Sequence, residues 1–312
     1  MAKTIATRDA YGQALKELGE KNKDIVVLDA DLSGSTKTGV FRESYPDRFF
    51  NVGIAEQNLI GTAAGLATSG KIPFASTFAV FATGRAFEII RNSICYPKLN
   101  VKVAATHAGL TVGEDGATHQ ALEDLSIMRS LPNMVVLNPA DGVEAKKCVF
   151  KAAEHYGPVY IRLGRSGLPV IFDEDYDFEI GKGVELGSGE DVTIVATGIM
   201  VKKALDAREE LLKEGISARV INISTIKPID NDIILKAAKE TKGIVTVEEH
   251  NIIGGLGSAV AEVLVENYPV PLLRVGVKDS FGQSGTGDDL LKKYGLTVEN
   301  IIEKVKNIYN FK

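Results

Sequence analysis

The sequence predicts an α/β protein built from two doubly wound units. Three observations carry this. Short, unbroken apolar runs recur, such as "IVVLDA" at 25–30, "VKVAA" at 101–105 and "VTIVATG" at 192–198. Amphipathic helix patterns separate most of them, and the rhythm breaks once, over 164–192, before resuming. Apolar strands that do not alternate are buried on both faces, the pattern of a parallel sheet covered by helices. Right-handed crossovers then wind those helices onto both sides. At 312 residues the chain is long enough for two such units.

The elements follow in order. A helix pattern runs through Tyr11, Ala14, Leu15 and Leu18, with Thr7 as its N-cap candidate. Strand-like runs sit at 25–30, 48–52, 72–76, 101–105, 134–138 and 159–163, and helices fit at 55–69, 79–95, 120–131 and 141–155. Residues 164–192 are acidic, Gly-rich and without helical period, and read as a linker with some extended structure. Strands then fit at 192–198, 218–223, 243–249 and 272–277, with helices at 200–214, 230–240, 257–267, 286–294 and 297–308. The division is 1–170, a linker at 171–190, and 191–312.

Bulk properties narrow the function. Hydrophobic content of 45% and charged content of 25% are those of an ordinary globular protein. A formal net charge of −5 offers no broad attraction to nucleic acid or to an anionic membrane. No apolar run reaches membrane-spanning length, and the polar start carries no signal-peptide core. Cys95 and Cys148 lie far apart and outside any CxxC motif, which fits a reducing cytoplasm. With His155 they read as structural. "GGLGSAV" at 254–260 holds half a dinucleotide fingerprint, Gly255-x-Gly257, and reads better as a closely packed helix start.

In open α/β sheets, ligands sit beyond the carboxyl ends of the strands. Five such loops in the first unit are unusual. They are "DADLSGST" with Asp29, Asp31, Ser33 and Ser35; "GIAEQ" with Glu56; "TFAVF" with Phe78 and Phe81; "THAGLTVGEDGATHQ" with His107, Asp115 and His119; and "GRSG" with Arg165. Glu56 shares the stripe of Leu59, Ile60, Ala63 and Ala67, which should face a core, where unpaired carboxylates are rare. Plainer readings stand beside each. Glu56 also suits a helix N-terminus, Phe78 and Phe81 a core, and His107 a satisfied buried histidine. The loop 107–119 resists a plain reading, with Gly109, Gly113 and Gly116 tightening a segment that holds Glu114, Asp115 and a histidine at each end. His107, Asp115 and His119 lack the spacing of a typical metal set, so no metal site is predicted in this chain.

These loops resemble the C-terminal half of transketolase over essentially the whole chain. "GIAEQN", "STFAVF", "GLTVGEDGATHQALEDLSIMRSLPNMVVLNPAD" and "VEEHNIIGGLGSAVAEVL" stand in family order. The resemblance implies a thiamine-diphosphate pyrimidine-binding domain followed by a transketolase C-terminal-like α/β domain. It also implies roles. Glu56 would bond the pyrimidine nitrogen, Phe78 and Phe81 would hold the ring, and Asp31 would lie near the cofactor. His119 would serve the reacting carbonyl, Asp115 a sugar hydroxyl, and Ser35, His107 and Arg165 the sugar phosphate, with His107 adding a donor beside Arg165. Gly84 replaces a larger residue that many members carry beside the pyrimidine.

The family's Gly-Asp-Gly motif is missing; "ADG" at 140–142 and "GDD" at 287–289 come nearest. The diphosphate, with Mg²⁺ or Ca²⁺, would then be held by a separate N-terminal subunit. Met1 precedes a helix pattern directly, so the chain reads as one half of a natural split enzyme. It is expected to be inactive alone, and to assemble as a homodimer or as a heterotetramer with its partner. 1-Deoxyxylulose-5-phosphate synthase shares much of the motif set, 2-oxo-acid dehydrogenase β-subunits are relatives of similar length, and a non-catalytic regulatory partner is a further alternative. Ser35, His107 and Arg165 favour a sugar phosphate over a small oxo acid.

Overall fold

A computed structural model describes residues 4–311. Met1, on which the reading of the chain's start rests, lies outside the described residues. The first sheet gathers β2 (Ile25–Asp29), β3 (Phe49–Asn51), β4 (Ile72–Phe78), β5 (Lys102–Thr106), β6 (Val135–Leu137) and β7 (Val159–Arg162), all parallel. β2, β4, β5, β6 and β7 are apolar runs covered on both faces, and all but the first residue of β4 are buried. The order is β6-β7-β5-β4-β2-β3, so the winding reverses between β2 and β4. The loops after β2 and β4 therefore flank the crevice where such sheets take ligands.

Helix α1 (Thr7–Lys21) packs with α8 (Gly142–Glu154) on one face, around Tyr11, Leu15, Phe74 and Val149. On the other face lie α4 (Glu56–Thr68) and α5 (Ala79–Arg85). The expected helix over 79–95 breaks at Ala86 and continues as Phe87–Ile89 and a π-helical turn, Ile90–Cys95. The one expected at 120–131 is confined to α7 (Asp124–Arg129). Thr7 is a correction: it is the first helical residue rather than the cap, and its hydroxyl accepts from Gly164 N at 2.7 Å. That bond ties the start of α1 to the loop bearing Arg165.

The second sheet runs β14 (Leu272–Val277), β13 (Ile244–Asn251), β10 (Val192–Ala196), β11 (Ala218–Asn222) and β9 (Val184–Gly187). The first four are parallel, and β9, from the linker region, is an antiparallel edge. Helices α9 (Met200–Lys213), α10 (Asn231–Glu240), α11 (Leu256–Asn267), α12 (Gly287–Lys293) and α13 (Val298–Tyr309) match the sequence pattern to within one residue at each end.

The units are not separate in space. β12 (Thr225–Lys227), unforeseen and only three residues long, leaves the second unit and pairs antiparallel with β6 at the edge of the first sheet. One apolar cluster includes Leu59 and Val136 of the first unit with Val195, Ile221 and Val260 of the second. β1 (Thr4–Ala6) pairs with β8 (Gly167–Pro169) just beyond Arg165.

Candidate active site

The loop after β2 is shaped by Asp29, which is fully buried. Its carboxylate accepts from Leu32 N, from the Thr36 hydroxyl at 2.6 Å and from the Thr38 hydroxyl at 2.8 Å. Burial pushes its pKa up. Asp29 is thus a brace, whereas Asp31 projects outward at a positive φ of 64°. Asn51 fixes Asp31: its amide donates to the Asp31 carboxylate at 2.9 Å, and its oxygen accepts from Asp31 N and Gly53 N. One asparagine therefore sets the loop before Glu56 against the loop after β2.

Glu56 opens α4 and is 4% exposed, as its place on the apolar stripe predicts. Its carboxylate is paired after all. Arg85, at the end of α5, donates to Oε1 at 2.9 Å. The same guanidinium lies 4.0 Å from the centre of the Phe81 ring, a cation–π contact. Ala55, Glu56, Gln57, Asn58 and Arg85 line an open depression here.

The aromatics continue the chain of contacts. Phe81 stacks on Phe78 with centroids 5.8 Å apart and planes 17° apart. Phe78 stacks on His107 at 3.9 Å. His119 meets both rings edge-on, at 5.4 Å from Phe81 and 6.3 Å from Phe78. The third and fourth of the five loops thus converge on one aromatic group, and Phe81 keeps the more open ring.

His107 corrects the sequence reading. Its Nε2 lies 3.2 Å from Arg8 Nη1, and its Nδ1 lies 2.9 Å from the Thr106 hydroxyl. Arginine only donates, so Nε2 accepts and Nδ1 carries the proton. Burial, then the charges of Arg8, Arg165 and His119, hold its pKa at about 3. His107 is therefore a neutral ring that orients Arg8, and the donor at this end is Arg8. Arg8 also donates to the Ser35 carbonyl at 3.1 Å, while its Nε is buried without a partner. Ser35 thus enters through its backbone.

Arg165 donates to the Val112 carbonyl and pairs with Glu114 at 3.3 Å and Asp115 at 3.8 Å. These acids are exposed and bind it weakly. The loop carrying them turns at Gly109, Gly113 and Gly116, all at positive φ. Two cationic side chains with part-exposed groups thus meet at one end, and a buried carboxylate beside aromatic rings stands at the other.

Arg8, Asn51 and Arg85 were not singled out from sequence. Arg85 carried a signal, since it follows Phe81 by one helical turn; Arg8 and Asn51 carried none. Among the described residues no group of three or more His, Cys, Asp or Glu is placed to hold a metal. Cys95 and Cys148 are free and buried. Among the described residues no helix is long and apolar enough to cross a membrane. In the second unit, Glu248 accepts from Leu256 N at 2.7 Å and Gly257 N at 2.8 Å. The glycine-rich helix start there is filled by the chain's own carboxylate.

Fold and site together define an α/β protein whose first sheet carries a chemistry-bearing edge and whose second sheet is packed against it. The chain belongs to the transketolase family: residues 3–170 match the transketolase pyrimidine-binding domain and residues 181–301 the transketolase C-terminal domain. A protein of Methanocaldococcus jannaschii, provisionally described as a transketolase C-terminal section, is 56% identical over 96% of this chain and 94% of its own length. A 6-deoxy-6-sulfo-D-fructose transketolase subunit of a Clostridium species is 46% identical, over 96% of this chain and 94% of its own length. A solved split-gene transketolase, described as an inactive β4 tetramer, superposes with a TM-score of 0.93 at 62% identity, covering 99% of both chains. Against rat transketolase, 42% identical, the match covers 97% of this chain but 49% of the relative.

Proposed function

We propose that this chain is the C-terminal subunit of a split transketolase, moving a two-carbon ketol unit from a ketose phosphate to an aldose phosphate. The observation that carries the reading is the unbroken series of contacts from Glu56 through Arg85, Phe81, Phe78 and His107 to Arg8. It links a shielded carboxylate to an anion-binding end, with His119 between them.

The residues present fit one part of thiamine diphosphate. Glu56 offers a water-shielded carboxylate, and the Arg85 guanidinium on Phe81 marks that ring as a seat for a flat, delocalised group. When bound, the cofactor supplies a nucleophilic carbon and an electron sink. Glu56 would hold the proton shared with its pyrimidine nitrogen, Phe78 and Phe81 would orient the ring, and Asp31 would border it. His119 would face the reacting carbonyl and Asp115 a sugar hydroxyl. Arg8 and Arg165 would bind the terminal anion, with His107 and the Ser35 carbonyl holding Arg8 in place.

The diphosphate and its Mg²⁺ or Ca²⁺ would be held by a separate N-terminal subunit, leaving this chain inactive alone. The related split-gene chain, described as inactive in its β4 form, supports this. Two relatives are named for an apulose 4-phosphate and a sulfo-sugar, which supports a substrate with an anionic end. The buried free cysteines support a cytoplasmic setting. The test is ketol transfer by the reconstituted pair, offered a ketose phosphate or pyruvate as donor. Transfer from the ketose phosphate is expected, and activity with pyruvate alone would overturn the reading.

A further inference from the structure

The residues named in the candidate site all belong to the first unit, yet a carboxylate of the second reaches the loop that carries His107, Asp115 and His119. Glu249, near the end of β13, is 3% exposed. Its Oε1 accepts from Thr111 N at 2.6 Å. Thr111 lies in the short turn Leu110–Asp115, where no regular ladder satisfies backbone donors.

The fit is close. A Cβ built on Gly109 would stand 2.3–2.6 Å from the three carboxyl atoms of Glu249. Gly109 also has φ of 82°. Glycine at 109 therefore lets the carboxylate in and permits the turn.

Glu249 also holds the far end of the loop, through its backbone. Arg162 Nη2 donates to the Glu249 carbonyl at 3.1 Å, to the Ala121 carbonyl at 3.2 Å and to Asp124 Oδ1 at 3.1 Å. Arg162 Nε and the Tyr160 hydroxyl complete the bonds to Asp124. Gly109 N donates to the Ala121 carbonyl, closing the loop's neck. One residue of β13 is thus bonded inside the loop by its side chain and linked to the loop's exit by its carbonyl. Burial pushes the Glu249 carboxyl up to about 7.

We infer that Glu249 is a positioning residue for the substrate loop, so that the second domain sets the geometry of His107, Asp115 and His119 without touching substrate. The consequence for catalysis rests on the proposed function; the grip itself does not.

Two variants of the full chain test it, Glu249→Ala and Glu249→Gln, the second keeping an oxygen that can accept from Thr111 N. Hydrogen exchange in the chain alone reads the grip. In Glu249→Ala, amides of 108–116 should exchange about ten- to a hundredfold faster, from loss of one charge-assisted bond, while 56–68 stay unchanged. Glu249→Gln should restore most of the protection, and Glu249→Met, which fills the space without a carbonyl acceptor for Thr111 N, takes the alanine variant's place if that fails to fold. Unchanged exchange in 108–116 of the variant that lacks the acceptor, or a uniform rise along the chain, would overturn the proposal.

In the reconstituted pair, Glu249→Ala should raise KM for the ketose phosphate about tenfold, the weaker end of that loss, with cofactor Kd unchanged and partial rescue by Gln. A fall in cofactor affinity equal to the rise in KM would overturn it. A loosened loop in a wild-type pair that transfers no ketol unit would sink the proposed function while upholding the grip.

Discussion

Both parallel sheets place acids and histidines at the carboxyl ends of their strands; beside the buried Asp29 and His107 the first sheet leaves several of them open, whereas those at the end of β13 in the second are all spent. In the first sheet Asp31 and Asp115 are exposed, His119 is part-exposed, and Glu56 borders an open depression. In the second, Glu248, Glu249 and His250 are at most 3% exposed and bonded within the protein. Glu248 takes the N–H groups at the start of α11, Glu249 takes Thr111, and His250 Nδ1 donates to the Asn251 carbonyl. Even the second sheet's own switch point, between β10 and β13, is filled: Asn138 of the first unit donates to Thr197 there. The difference teaches that a strand-end acid marks a site only where its bonding capacity remains open to a ligand. The same fold rule yields a site in one sheet and a clamp in the other.

The contrast can be broken at several points. The largest effect is expected at Glu56. Glu56→Gln in the reconstituted pair should cut kcat by about 10²- to 10⁴-fold, the range for losing a positioned acid–base group. Steady-state kinetics check this, and a near-normal rate would remove Glu56 from the proton path. Within the first unit, where Arg162 also meets the Glu249 carbonyl of β13, Asp124→Ala strands the Arg162 guanidinium in the interior. It should cost about 3–5 kcal/mol of stability in urea unfolding, with little left to measure of a specific catalytic defect.

Arg165→Ala sharpens the comparison from the open side. Its acidic partners are exposed, so stability should move by less than about 1 kcal/mol. KM for a ketose phosphate should rise about tenfold, as expected from losing one charge-assisted bond; an equal rise for an uncharged ketose would exclude an anion-binding role.

The smallest effect is a pH dependence. Burial pushes the Glu248 carboxyl up to about 7. Between its unfolded value near 4.5 and 7, the folded chain binds the extra proton, so this group's contribution to stability falls as pH rises through that window. In Glu248→Gln the wild-type slope of unfolding free energy over pH 4.5–7 should become less negative, by up to about 1.4 kcal/mol per pH unit. An unchanged slope would show that Glu248 does not titrate there.

Much of this was legible in the sequence because it rests on local pattern. Apolar runs and helical period placed every strand of the two large sheets but β9 and β12, and the longer helices, and the stripe through Leu59 and Ala63 put Glu56 on a face turned to the core. What stayed hidden is tertiary. β12 is too short to give a period, and its partner, β6, lies about ninety residues away in the chain. Arg85 could be seen one turn after Phe81, but not that it would reach Glu56. Arg8 looked like an ordinary first-turn residue until the fold set it against His107. The start of α7 slid to Asp124 because Gln120 and Leu122 are tied to the second unit, through Gln283 and Asn251. "VEEH" at 247–250 offered three ionisable groups in a row, and only packing reveals that all three are spent.

The central claim is that this chain holds one side of a divided site. The direct test measures ketol transfer by the purified chain with saturating thiamine diphosphate and Mg²⁺, then again after adding the diphosphate-binding subunit. The account predicts no turnover from the chain alone and turnover from the pair. Turnover by the chain alone would contradict it.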